Sequence, residues 1–202
     1  VTTRSAADTD SHRRRGGRGA RERILAAAAE LFYVEGINAT GVELIATKAE
    51  VSKRTLYKHF PSKTVLVERY LEQAGLFLPD PANSGKDTDG PRARLIALFE
   101  IPEYGGSHMR GCPFHNAAVE AAGTMPEVEN MVHEHKRTFI AAITELCREF
   151  GAAEPALLGN QLALLYEGAA ALSTSLDDPA PWTYARETAQ ILLDHPPTTI
   201  AP

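Results

Sequence analysis

Cysteine, tryptophan and methionine are all scarce: the 202 residues hold two Cys, one Trp and three Met. Two cysteines, Cys112 and Cys147, cannot build a disulfide framework, and so few thiols suit a reducing cytoplasm, the expected location. Long apolar runs are also lacking. The alanine-padded stretches fall well short of the roughly 18 residues that a spanning helix needs, so no membrane partner is expected. The first 20 residues are polar and arginine-rich, without the apolar segment of a secretory signal. No stretch alternates with period two for long enough to make a strand. No glycine-rich phosphate loop, Ser-His-Asp order or paired-carboxylate spacing appears, so an enzyme is not indicated and neither a cofactor nor a metal is expected. What remains, 44% hydrophobic and 23% charged, is an ordinary globular composition, with length for one large domain or two small ones.

The net charge of −5 argues, taken whole, against a nucleic-acid partner. Its distribution argues the reverse. Residues 1–63 carry 12 Lys+Arg against 7 Asp+Glu, a net of +5, and the remainder carries 9 against 19, a net of −10. A chain divided by sign in this way suggests a basic module joined to an acidic one.

Residues 1–18 lack apolar periodicity and end in Arg13, Arg14, Arg15 and Arg18, a flexible basic arm. Ile24, Ala28, Leu31 and Phe32 fall at helical spacing from Ala20 to Glu35, and Gly36 is a natural stop. Thr40 can cap a second helix to about Ala49, with Val42, Ile45, Ala46 and Ala49 inward. Glu50-Val51 is a tight turn, Ser52 a cap for a short third helix through His59, and Ser62 opens a fourth to about Leu78. Residues 79–91 are the best linker. Beyond it come only helical patterns: 92–101, 113–122, Pro126 to Phe150, Pro155 to about Leu176, and 181–194, with 102–111 irregular. The expected fold is all-α.

A tight turn between two of three short helices is the geometry of a DNA-reading module. The first turn of the third helix offers Ser52, Lys53, Arg54 and Thr55, all able to donate to phosphates or base edges. Leu56 and Phe60 would anchor it, while Tyr57, Lys58 and His59 project outward. Lys63 sits where ammonium and helix dipole together attract phosphate.

The run from Arg21 to about Gln73 resembles the N-terminal domain of the TetR family of transcriptional repressors. The resemblance rests on Val51, Ser52, Thr55, Leu56, Tyr57, His59, Phe60 and Lys63, an unbroken V-S-x-x-T-L-Y-x-H-F-x-x-K stretch. It implies that Thr40 caps the second helix and donates to a phosphate, that Ser52, Lys53, Arg54 and Thr55 face the groove, and that Tyr57, His59 and Lys63 grip the backbone. Two residues depart from the family pattern. Glu50 stands where glycine is usual, a strain if its φ is positive. Arg54 replaces what is often a small residue, adding a bidentate donor suited to guanine.

For the acidic part the resemblance implies binding of a small-molecule effector and homodimerisation. Leu162, Leu165, Gly168, Ala169 and Leu172, with Trp182 and Ala189 on the last helix, would form a four-helix interface between two subunits, an isologous contact matching a palindromic DNA operator. The same stripe would serve as monomer core. The segment from Arg110 to Asn116 resembles a G-C-P-F-x-N stretch of one branch of TetR-like regulators. Phe114, His115, Asn116 and Glu120, with Tyr104, Met131, His135, Phe139 and Tyr166, would line a ligand pocket, and each would also serve as ordinary packing.

The domains expected are thus an arm (1–18), a helix-turn-helix domain (19–66), an effector and dimerisation domain (67–195) and a tail (196–202). The function expected is a repressor released from its operator by a small molecule. A competing class is a helical ligand-binding, redox- or metal-sensing module acting through Cys112 with His108, His115, His133 or His135.

Overall fold

The computed structural model describes residues 19–76, 78–81, 90–102 and 110–198. The basic arm, Tyr104 and His108 lie outside them. All regular structure among the described residues is helical: α1 Ala20–Val34, α2 Val42–Lys48, α3 Lys53–His59, α4 Lys63–Gly75, α5 Pro91–Ala97, α6 Pro113–Ala121, α7 Pro126–Phe150, α8 Pro155–Leu176 and α9 Ala180–Asp194. None of these helices is long and apolar enough to cross a membrane.

The chain divides into two compact units. The first runs to Leu76 and includes Asn116–Asn130. The expected cut at residue 66 falls inside α4, which stays whole because Leu66, Val67, Tyr70 and Leu71 are all buried and α4 packs on α1. Phe32 and Tyr70 meet across this contact with ring centres 5.7 Å apart. Gly36, at φ 96, ends α1 as expected. The end of α6 is tied to the turn after α1: the Asn38 N–H donates to Glu120 Oε2 at 2.7 Å, and Asn38 Nδ2 donates to the Glu120 carbonyl at 2.9 Å.

Thr40 does not cap α2. Gly41 occupies that position with no side-chain bond, while the buried Thr40 hydroxyl donates back to the carbonyls of Gly36 (2.7 Å) and Leu31 (3.3 Å). The hydroxyl closes the end of α1 and is withdrawn from any phosphate.

The second unit comprises Phe77–His115 and Met131–Pro202. Tyr166 sits at the middle of its core, 4.8 Å from the Phe139 ring and 5.2 Å from that of Trp182. Leu95, Phe99, Ile143 and Leu158 close around them. The proline starts read from the sequence hold for α6 to α8, as expected of a residue whose missing N–H costs nothing in a first turn. Helix α5 also begins on a proline, Pro91, which the sequence reading places in the linker. The nearly buried Arg94 holds Pro81 in place, donating to its carbonyl at 3.0 Å while pairing with Glu149 at 3.0 Å.

Candidate nucleic-acid interface

Helix α3 is fixed from beneath by Leu56 and Phe60, both sealed, with the Arg21 guanidinium 5.4 Å from the Phe60 ring centre. Its entry is fixed by Ser52, whose Oγ accepts the Thr55 N–H at 3.1 Å and shares a 2.9 Å hydrogen bond with the Thr55 hydroxyl. Those two hydroxyls shape the helix start and together keep one free donor. The outer face carries Lys53, Arg54, Tyr57 and Lys58, all exposed, with Thr55 and His59 partly so. Ser62 caps α4 by accepting the Val65 N–H at 3.1 Å. Lys63, in the first turn of α4, is half-buried, and that burial pulls its ammonium below the usual lysine range against the opposing pull of Glu120.

The turn between α2 and α3 places Glu50 at φ 52, the left-handed region that glycine favours. It closes α2 by donating its N–H to Thr47, while Val51 donates to Ala46. A left-handed conformation costs a residue with a Cβ roughly 1–2 kcal/mol, and glycine returns part of this to the flexible unfolded chain. Glu50→Gly is therefore expected to stabilise the protein by roughly 0.5–1 kcal/mol, a rise in Tm of roughly 1–4 °C. A lowered Tm by calorimetry would contradict the strain.

Two features of this face escaped the sequence reading. Lys53 is held by Glu43 of α2, and Lys48 pairs with Glu30 at 2.8 Å. The only sequence signal for either was an acidic residue in the first turn of α2 and another late in α1.

In the second unit His135, Phe139 and Tyr166 come together as expected for a pocket. With them stand Cys112, Lys136, Glu167, Leu78 and Pro79, around a cavity with room for about one water molecule. Phe114 lies flat on His135, ring centres 3.6 Å apart, and burial, then Lys136, lower the imidazole's proton affinity. Lys136 pairs with Glu167 and donates to Cys112 Sγ at 3.6 Å.

The other expected pocket residues go elsewhere. Glu120 serves Asn38, Asn116 belongs to the first unit, His115 is exposed, and Met131 does not line the cavity. Cys147 is shut in the core, its thiol pushed up to about 11 by burial. Among the described residues no three of His, Cys, Asp and Glu converge where a metal could be held.

The expected subunit interface divides in two. Leu162, Trp182 and Ala189 are core, because they point between helices of their own unit. Leu165, Gly168 and Leu172, with Ala169 at the floor, line an open apolar groove between α8 and α9. The sequence reading missed its most exposed members: Leu164 and Tyr184, 73% and 66% exposed, and Leu176.

A short capped helix, anchored by two sealed side chains, preceded by a tight turn and presenting donors outward, defines a helix-turn-helix DNA-binding protein. The family model for bacterial regulatory proteins of the tetR family matches residues 24–70, the span from α1 to α4. The chain is similar to the HTH-type transcriptional regulator EthR of Mycobacterium tuberculosis, 29% identical over 144 residues that cover 69% of this chain and 67% of EthR. It is also similar to TcmR of Streptomyces glaucescens, 40% identical over 62 residues, 31% of this chain and 27% of TcmR. The crystal structure of a TetR-family transcriptional regulator from Streptomyces coelicolor superposes with a TM-score of 0.74 at 29% identity, over 87% of this chain and 95% of that one. The chain is a TetR-family helix-turn-helix transcriptional regulator.

Proposed function

We propose that this regulator is a homodimeric repressor that occupies a palindromic operator in the cytoplasm and leaves it when a small molecule enters the second unit. The observation that carries the reading is the outward row on α3, Lys53, Arg54, Tyr57 and Lys58, on a helix held rigidly from below. Arg54 suits bidentate contact with guanine, and it carries no ion pair among the described residues. Tyr57, Lys58 and Lys63 suit phosphates, with His59 beside them. The first unit is the reader; the second senses and pairs subunits, and its net acidity keeps it off the duplex.

The clustering of His135, Phe139 and Tyr166 in the second unit supports effector entry there, and the ligand would have to widen a cavity that now has room for about one water. Release follows if the liganded state sets the two recognition helices away from the roughly 34–36 Å spacing of successive major grooves. The sealed Cys147, its thiol pushed up by burial, gives the thiol-based alternative less support.

Anisotropy titration against the chain's own upstream DNA, at two salt concentrations, tests the reading. Specific affinity well above that for random duplex is expected, and its absence sinks the repressor. Tyr57→Phe and Lys63→Ala should weaken all duplexes alike, with Lys63→Ala lowering the salt slope by about one. Arg54→Ala should relax preference at one base position, a loss of about 1–3 kcal/mol confined to the cognate base. Equal losses on every operator variant would remove Arg54 from base reading.

A further inference from the structure

Glu43 is an acidic side chain on a face whose purpose is to meet a polyanion. It stands in the first turn of α2, and its carboxylate binds the ammonium of Lys53, the first residue of α3. Both side chains are more than half exposed, and an exposed pair of this kind contributes little to stability. Glu43 also accepts its own N–H at the start of α2, which Gly41 leaves without a side-chain cap, but that local role needs no lysine partner, so support of the fold does not account for the pair. Nor does phosphate binding: a carboxylate repels phosphates and occupies the lysine that would meet one. The mutual hydrogen bond raises the ammonium's proton affinity and lowers the carboxylate's, so the pair stays ionised around neutrality.

The chemistry fits a base edge better. An ammonium has three donors and a carboxylate about four acceptor sites; their mutual bond uses one of each and the carboxylate's bond to its own N–H one acceptor more, which leaves about two of either kind. The pair thus offers donors beside acceptors, joined across the first turns of the two helices. A G·C pair offers the complement in the major groove: the N7 and O6 acceptors of guanine beside the N4 amino group of cytosine. A T·A pair reproduces part of this with O4 and N6, but sets the N7 acceptor of adenine on the carboxylate's side and leaves lysine only one acceptor.

We infer that Glu43 and Lys53 act as one unit that reads a single G·C base pair in each half-site, Lys53 donating to guanine O6/N7 and Glu43 accepting from cytosine N4. The carboxylate weakens binding to every duplex by repelling phosphate, and only the matching base pair compensates. Glu43 is in this sense a specificity residue. The inference rests on α3 being the groove-reading helix.

The test is selection of bound sequences from a random duplex library by the full-length protein and by Glu43→Gln, with affinities for the selected and random duplexes at two salt concentrations. The wild-type chain is expected to enrich a palindrome with G·C fixed at a position where Glu43→Gln loses about tenfold of its preference. In the variant, random duplexes bind more tightly and the salt slope steepens by about one, since Lys53 is released to a phosphate. If the wild type enriches no sequence, the groove-reading assignment of α3 fails. If it enriches a site and Glu43→Gln keeps every base preference, even while binding all duplexes more tightly, α3 stands as the reader and the inference about Glu43 is overturned.

Discussion

Replacing Leu164 by aspartate is expected to split the protein into monomers and to lower its operator affinity by at least about a hundredfold. Leu164 is 73% exposed, so the carboxylate is hydrated in the isolated chain and the monomer fold is untouched. The effect arises only when the α8–α9 groove is covered. An isologous contact repeats each substitution on both sides, so one change buries two unpaired carboxylates. At about 2 kcal/mol or more for each, the dimer weakens by roughly a thousandfold. A monomer grips one half-site only, and the contacts of the other are lost. Sedimentation velocity reads the assembly and anisotropy the affinity. A Leu164→Asp protein that stays dimeric at the wild-type concentration would show that the groove is not the interface.

The groove also marks where sequence reasoning stops. Helix starts were legible because their causes are local. Ser52 and Ser62 cap within three residues, and a proline at a first turn needs no distant partner. Glu50 was legible as a strained position because the turn needs a left-handed residue whatever surrounds it. On α8 the apolar pattern wraps most of the helix. Leu162, fully buried, and Leu164, mostly exposed, are alike in sequence, and period alone cannot say which faces its own core.

Thr40 and Glu120 were misplaced for a related reason. A threonine before a helix and a glutamate on a helix near polar residues both have common local uses. Here the deciding partners are nine residues back, at the Leu31 carbonyl, and 82 residues back, at Asn38. Helix α3 was therefore visible from the sequence, while its Glu43 partner and the lining of the small cavity depend on tertiary contact.

Two glycines of α8 carry the second large prediction, with opposite signs. At Gly159 an added Cβ would stand 2.9 Å from Thr144 Cα and 3.1 Å from its backbone nitrogen, atoms of α7 that cannot swing aside. Gly159→Val is expected to destabilise the chain by about 3 kcal/mol, because the two helices must separate and the core between them loosens. For a chain of this size that is a fall in Tm of roughly 6–12 °C, measurable by calorimetry. An unchanged Tm would mean that α7 and α8 do not approach so closely. Gly168, nine residues on, has nothing beyond the backbone of its own helix within 4 Å of such a Cβ, yet it lines the groove. In the monomeric Leu164→Asp background, Gly168→Ala should raise Tm, since alanine is favoured over glycine inside a helix by roughly 0.5–1 kcal/mol. In the otherwise wild-type protein the same methyl should weaken the proposed dimer by about tenfold, crowding the surface on which the second copy would close. A glycine that its own fold does not require, on a face its own chain does not cover, is what the proposed dimer calls for. Equal stabilisation in both backgrounds would remove the explanation.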